Sequence, residues 1–161
     1  MVVRVAGREA EVPAVPAADW LGILMQESFN IDDVFLTLAP ELADAVDEAL
    51  YSGFLSFDDY SDLILKVISQ VSGRPWHIAL RLIYNVRANW DTLGPEMLRW
   101  VNPSHVSLSA WLDAALIVML RAMDPKDVTM FTMKLTAPAP GEEAAEMEMS
   151  QEDFAALMAG Q

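Results

Sequence analysis

Between Ser56 and Gly73, Phe57, Tyr60, Ile64, Val67, Ile68 and Val71 recur three or four residues apart. That spacing gathers apolar side chains on one side of an α-helix. Ser56 with Asp59 three residues on has the form of a capping box, with Asp in place of the usual Glu. Ser72-Gly73 then supplies a stop, because glycine takes the left-handed conformation that ends a helix. A helix with one apolar face has to bury it against a neighbour. This segment therefore commits the chain to helix packing, and similar punctuated segments flank it on both sides.

Upstream, Trp20, Leu21, Leu24 and Met25 fall at helical spacing from Ala17 on, and Ile31 to Leu38 reads as a second short helix with Asn30 as its cap. Pro40 suits the first turn of the next helix, with Leu42, Val46, Ala49 and Leu50 on one face and Gly53 at its end. Downstream, Pro75 opens a helix through Trp76, Ala79, Leu80, Ile83, Val86 and Trp90. Gly94-Pro95 is expected to break that run and leave a short helix over Met97 to Val101. Ser107 or Ser109 caps a helix through Trp111, Leu112, Ala115, Leu116, Met119 and Met123. Asp124-Pro125 starts the last one, carrying Val128, Phe131, Met133 and Leu135.

The fold expected is mainly α: a single compact helical domain over residues 17–136, with Trp76, Ile83, Trp111, Leu112 and Met119 in its core. Residues 1–16 read as a small N-terminal β-hairpin and a Pro-punctuated lead, from the β-branched Val2, Val3 and Val5, the Ala6-Gly7 turn and the return through Val12. Residues 137–161 read as a stiff Ala-Pro-Ala-Pro-Gly linker and a flexible acidic tail. In that tail Ser150 and Asp153 resemble another cap, ahead of Phe154, Leu157 and Met158. A helix of about ten residues there is too short to be stable alone in water.

The 161 residues are enough for one core. Without cysteine, disulfide and thiolate chemistry are excluded. The first residues hold Arg4, Arg8, Glu9 and Glu11 and lack the apolar stretch of a signal peptide. The longest strongly apolar run, Ala110 to Leu120, contains Asp113 and falls short of the ~20 residues a membrane span needs. The net charge of −14 is unevenly spread. Residues 1–62 carry 13 acidic and 2 basic side chains, residues 63–140 carry 5 and 8, and residues 141–161 carry 6 and none. Nucleic acid demands clustered Lys and Arg, so this balance argues against it.

No catalytic, metal or cofactor site emerges from the residue pattern. His77 and His105 stand far apart without zinc-ligand spacing, and there is no G-x-G-x-x-G, Walker A or G-x-S-x-G string. The acid pairs Asp32-Asp33 and Asp58-Asp59 sit at helix starts, where the dipole favours negative charge. Asp113, inside an apolar helix, is expected to pair with Arg81, Arg87 or Arg99. Trp20, Trp76, Trp90 and Trp111 fall on core faces, with Trp100 near a turn. Met119, Met123, Met130 and Met133 suit either core filling or an adaptable surface. Partner-binding candidates are the tail residues Met147, Met149, Phe154, Leu157 and Met158, a latent amphipathic helix for a partner or a second copy. A solvated solubility tail accounts for the same composition.

Several strings in order complete the pattern: Ser72-Gly73-Arg74-Pro75-Trp76, then Asn89-Trp90, then Val106-Ser107-Leu108-Ser109-Ala110-Trp111-Leu112-Asp113-Ala114-Ala115, then Met123-Asp124 and the Ala137–Gly141 exit. Over roughly residues 1–141 this arrangement resembles the tail assembly chaperones of long-tailed phages that infect actinobacteria. The resemblance implies a non-enzymatic protein of the host cytoplasm, absent from the mature virion. It implies that the partner is the long helical tape measure protein, kept soluble until tail-tube subunits assemble around it. It further implies a short form and a frameshifted long form of the chaperone, this chain resembling the short one, with that long form and self-association as further contacts and no cofactor, nucleic acid or membrane among the partners. A structural head–tail connector or another helical adaptor of the virion is the competing reading, and an enzyme whose residues meet only in the fold is a third.

Overall fold

A computed structural model of the chain describes residues 2–5, 7–11, 14–26 and 40–139, with the side chains at 3, 5, 8, 10, 11 and 40–42 left out. Val2–Val5 and Arg8–Glu11 pair antiparallel, Val2 opposite Glu11 and Val5 opposite Arg8, around Gly7 at φ 79°. Everything else regular among the described residues is helical. The seven α-helices are α1 (Ala17–Leu24), α2 (Pro40–Tyr51), α3 (Phe57–Ser72), α4 (Trp76–Ala88), α5 (Trp90–Trp100), α6 (Leu108–Ala122) and α7 (Pro125–Thr136). A 3-10 turn, Pro103–His105, joins α5 to α6. The expected helix over Ile31 to Leu38 and the tail residues 140–161 lie outside the described residues.

The chain divides into two compact units, Met1–Asp124 and Pro125–Gln161. In the first, α6 is the central element, packing against α1, α3, α4 and α5. Its buried residues Leu108, Trp111, Leu112, Ala115, Val118 and Met119 keep the helical period along one face. They meet Trp20 of α1, Ile64 and Ile68 of α3, Leu82, Ile83 and Val86 of α4 and Met97 of α5 in a core of fully or nearly fully buried side chains. The start of α1 is tied to the turn before α6, the Ala17 N–H donating to the Val106 carbonyl at 2.8 Å. That bond satisfies one of the donors a helix start leaves open. α2 packs against both strands. In the second unit, Leu135 of α7 is buried, Val128 and Phe131 are half-buried, and Met130 and Met133 are exposed.

Most helix ends follow their sequence signals. Ser56 caps α3 by accepting from the Asp59 N–H at 3.1 Å, and Gly73 closes it at φ 66°. The reciprocal half of the box differs: Asp59 Oδ2 accepts from the Ser56 hydroxyl at 2.7 Å. Ser107, rather than Ser109, caps α6 through the Ala110 N–H. One boundary departs from expectation. Gly94-Pro95 does not break its helix, and α5 runs unbroken from Trp90 to Trp100. The break comes earlier, at Asn89, whose N–H still closes on α4 while its carbonyl accepts from Thr92 and Leu93 of α5. Pro95 lies one turn into the new helix, where a proline removes a single early hydrogen bond.

Candidate partner-binding surface

The Ser72–Trp76 string is a structural corner. The buried Ser72 hydroxyl donates toward the carbonyls of Ser69 and Arg74, at 3.3 and 3.1 Å. The Ser69 hydroxyl accepts from the Trp76 N–H at 2.9 Å, which supplies α4 with a cap from the last turn of α3. A Cβ at Gly73 would stand 3.1 Å from Ser109 Oγ, so this turn lies close against the first turn of α6. Arg74 reaches across to α6 and pairs with Asp113. This corrects the expected partner of Asp113: it meets Arg74, and not Arg81, Arg87 or Arg99. The carboxylate projects from the open side of α6 with 64% of its side chain exposed, while the Arg74 side chain is 15% exposed. The pair therefore lies at a rim, where it holds the α3–α4 corner on α6.

Among the described residues, no group of three or more His, Asp or Glu side chains is placed to hold a metal ion. His77 half-buries its ring edge-to-face against Trp76 at 5.6 Å, and its Nδ1 is buried without a hydrogen-bond partner, as is Arg74 Nε. His105 is exposed in the 3-10 turn, beside an open depression of about 290 Å³ between residues 14–16 and 104–107. The Ser107 hydroxyl in that depression is engaged as the α6 cap. No helix among the described residues is long and apolar enough to cross a membrane.

What the surface does carry is exposed apolar side chains. At the α2–α3 corner, Tyr51, Phe54 and Phe57 are 98%, 79% and 73% exposed. This corrects Phe57, expected on the buried face of α3. The turn beneath them is tightly closed. The Ala49 carbonyl accepts from the Phe54 and Leu55 N–H groups at 2.9 and 3.0 Å and from the Ser52 hydroxyl at 3.2 Å. The Gly53 N–H bonds Leu50 at 3.1 Å, with Gly53 at φ 71°, a conformation natural to glycine. On α5 and α6, Leu98, Trp100 and Ile117 are exposed, and the Arg121 guanidinium lies 4.5 Å over the Trp100 ring.

Neither the family models nor the curated proteins nor the solved structures compared with the chain give a match.

Two tryptophans differ from their sequence placement. Trp90, expected in the core, is 38% exposed and lies over Gly94, and Trp76 is only half-buried. Of the methionine group, Met119 is buried, Met123 half-buried, and Met130 and Met133 exposed, Met133 having been expected in the core. The candidate residues Met147, Met149, Phe154, Leu157 and Met158 lie outside the described residues. The aromatic corner was not singled out from the sequence. Its signal is that Tyr51 falls off the Leu42, Val46, Ala49 and Leu50 face and that Phe54 sits inside a Ser-Gly turn.

Proposed function

We propose that this chain is a non-enzymatic assembly chaperone of the phage-tail kind, binding a long helical tape measure protein and holding it in solution during tail assembly. The observation that carries the reading is the exposed aromatic corner on a helical body. Large apolar side chains clustered on a surface mark contact with another protein more often than chemistry. The resemblance of the Ser72–Trp76 and Val106–Ala115 strings to tail assembly chaperones gives the partner its identity, and with it the host cytoplasm and the absence from the finished virion. On this reading the acidic residues 141–161, which follow the Ala-Pro linker, add charge that keeps the complex soluble.

Co-expression with the tape measure protein encoded alongside is the direct test. The expected outcome is that the tape measure protein moves from the insoluble to the soluble fraction and co-purifies with this chain. A tape measure protein equally insoluble with and without the chain would overturn the reading. Stoichiometric recovery of the chain from purified virions would replace it with the connector alternative.

A further inference from the structure

We infer that Tyr51, Phe54 and Phe57 are the anchors of a docking surface for a cationic amphipathic helix, and that the acids of α2 and the start of α3 select it by charge. The inference rests on the chaperone reading for the existence of a helical client, and adds which surface meets it and what chemistry the client segment carries.

The three aromatics occupy one seven-residue corner, and the hydrogen bonds converging on the Ala49 carbonyl hold its backbone in place. A fixed backbone presents the rings with little ordering left to do on binding, which favours affinity. The three rings stand apart from the described core, since the buried side of α2 is Ala45, Val46 and Ala49 and that of α3 is Tyr60, Ile64, Val67 and Ile68.

The charge around them has one sign. From residue 40 to residue 65 the chain holds seven acids, Glu41, Asp44, Asp47, Glu48, Asp58, Asp59 and Asp62, and no Lys, Arg or His. Asp44 and Asp47 lie on α2 at the helical spacing that leads to Tyr51, and Asp58 and Asp62 lie one turn apart beside Phe57. All four are exposed. A partner that buries the aromatics brings its own flanks against these carboxylates, and Lys or Arg there is attracted where Asp or Glu is repelled. A helix laying an apolar stripe on the rings with basic residues on either side meets both demands. A second copy of this chain meets them poorly, since two bodies of net charge −14 repel. An anionic membrane is disfavoured for the same reason.

The test uses the full chain and two synthetic helical peptides of about 20 residues with the same leucine stripe, one flanked by Lys and Arg and one by Glu. The cationic peptide is expected to bind with a Kd in about the micromolar range and the acidic one not to bind. Phe54→Ser with Phe57→Ser is expected to weaken binding at least about tenfold, with the thermal unfolding midpoint unchanged because both rings are exposed. Tyr51→Ser is a second variant at the same corner, expected to act in the same direction. Asp47→Asn with Asp58→Asn and Asp62→Asn is expected to flatten the salt dependence of the binding. Equal binding of the two peptides, or unaltered binding by the Phe54/Phe57 double variant, overturns the inference. So does a wild-type dimer in sedimentation that the double variant returns to monomer, which would assign the corner to self-association. Co-expression separates the two levels. A double variant that still solubilises the tape measure protein leaves the chaperone reading standing and removes this surface. A wild-type chain that fails to solubilise it removes the chaperone reading, while the peptide result decides the surface separately.

Discussion

At position 94 a side chain has nowhere to go. A Cβ there would lie 2.7 Å from Cε2 and 2.9 Å from Cδ2 of the Trp90 ring, well inside van der Waals contact. Two terms compete in Gly94→Ala. Alanine in a helix is worth about 1 kcal/mol over glycine, while displacing a packed side chain costs about 1–3 kcal/mol. The clash is expected to win, with a net loss of about 1 kcal/mol in urea unfolding. In a Trp90→Ala background the ring is gone and only the propensity remains, so the same substitution is expected to stabilise by about 0.5–1 kcal/mol. This sign reversal is the measurement, and a Gly94→Ala effect that is equal in both backgrounds would refute the packing assigned to Trp90. Arg74 shows the same dependence on a single neighbour: its largely buried guanidinium is charge-paired by an Asp113 that is itself mostly in water. Such a rim pair positions more than it stabilises.

Among the elements, α6 carries the most packing, and Ser107 starts it. The Ser107 hydroxyl accepts from the Ala110 N–H at 3.2 Å. Ser107→Ala leaves that N–H to solvent and is expected to cost about 1 kcal/mol, seen as a fall of about 2–4 °C in the unfolding midpoint for a chain of this size. No change in that midpoint would mean that water replaces the cap at no cost. Caps of this kind could be read from the residues because their physics is local: a hydroxyl three residues before an N–H, or a glycine that accepts φ 66°. The α5 boundary could not, because it depends on competition between two stops. Asn89 interrupts the hydrogen-bond ladder and restarts it, so Pro95 falls in the second turn of a fresh helix, which continues past it with one intrahelical hydrogen bond fewer. Periodicity likewise assigned Trp90 and Phe57 to buried faces. A periodic pattern gives the angular position of a residue but says nothing of whether a neighbour covers that end of the helix, and at the first residue of α5 and of α3 none does so fully. The Asp113 partner was missed for a related reason, since only the tertiary placement of the α3–α4 corner brings Arg74 within reach.

For the whole molecule, charge is the feature that extends beyond any one contact. The body from residue 40 to 65 is purely acidic in its ionisable side chains of Lys, Arg, Asp and Glu, while residues 63–140 carry more bases than acids. Composition made this asymmetry readable from the start, whereas the aromatic corner inside the acidic part became visible only with the exposure of its three rings. The two features act at different stages of an encounter. Long-range attraction raises the rate at which a cationic partner arrives and is screened by salt, while buried apolar contact governs how long it stays. Stopped-flow measurement of cationic-peptide binding is therefore expected to show association slowing by about tenfold between about 50 and 500 mM salt, with dissociation changing by less than about twofold. If dissociation instead accelerates as much as association slows, the complex is held mainly by exposed ion pairs and the aromatic corner contributes little. If neither rate responds to salt, the acids of α2 and α3 do no steering and serve only to keep the chain in solution.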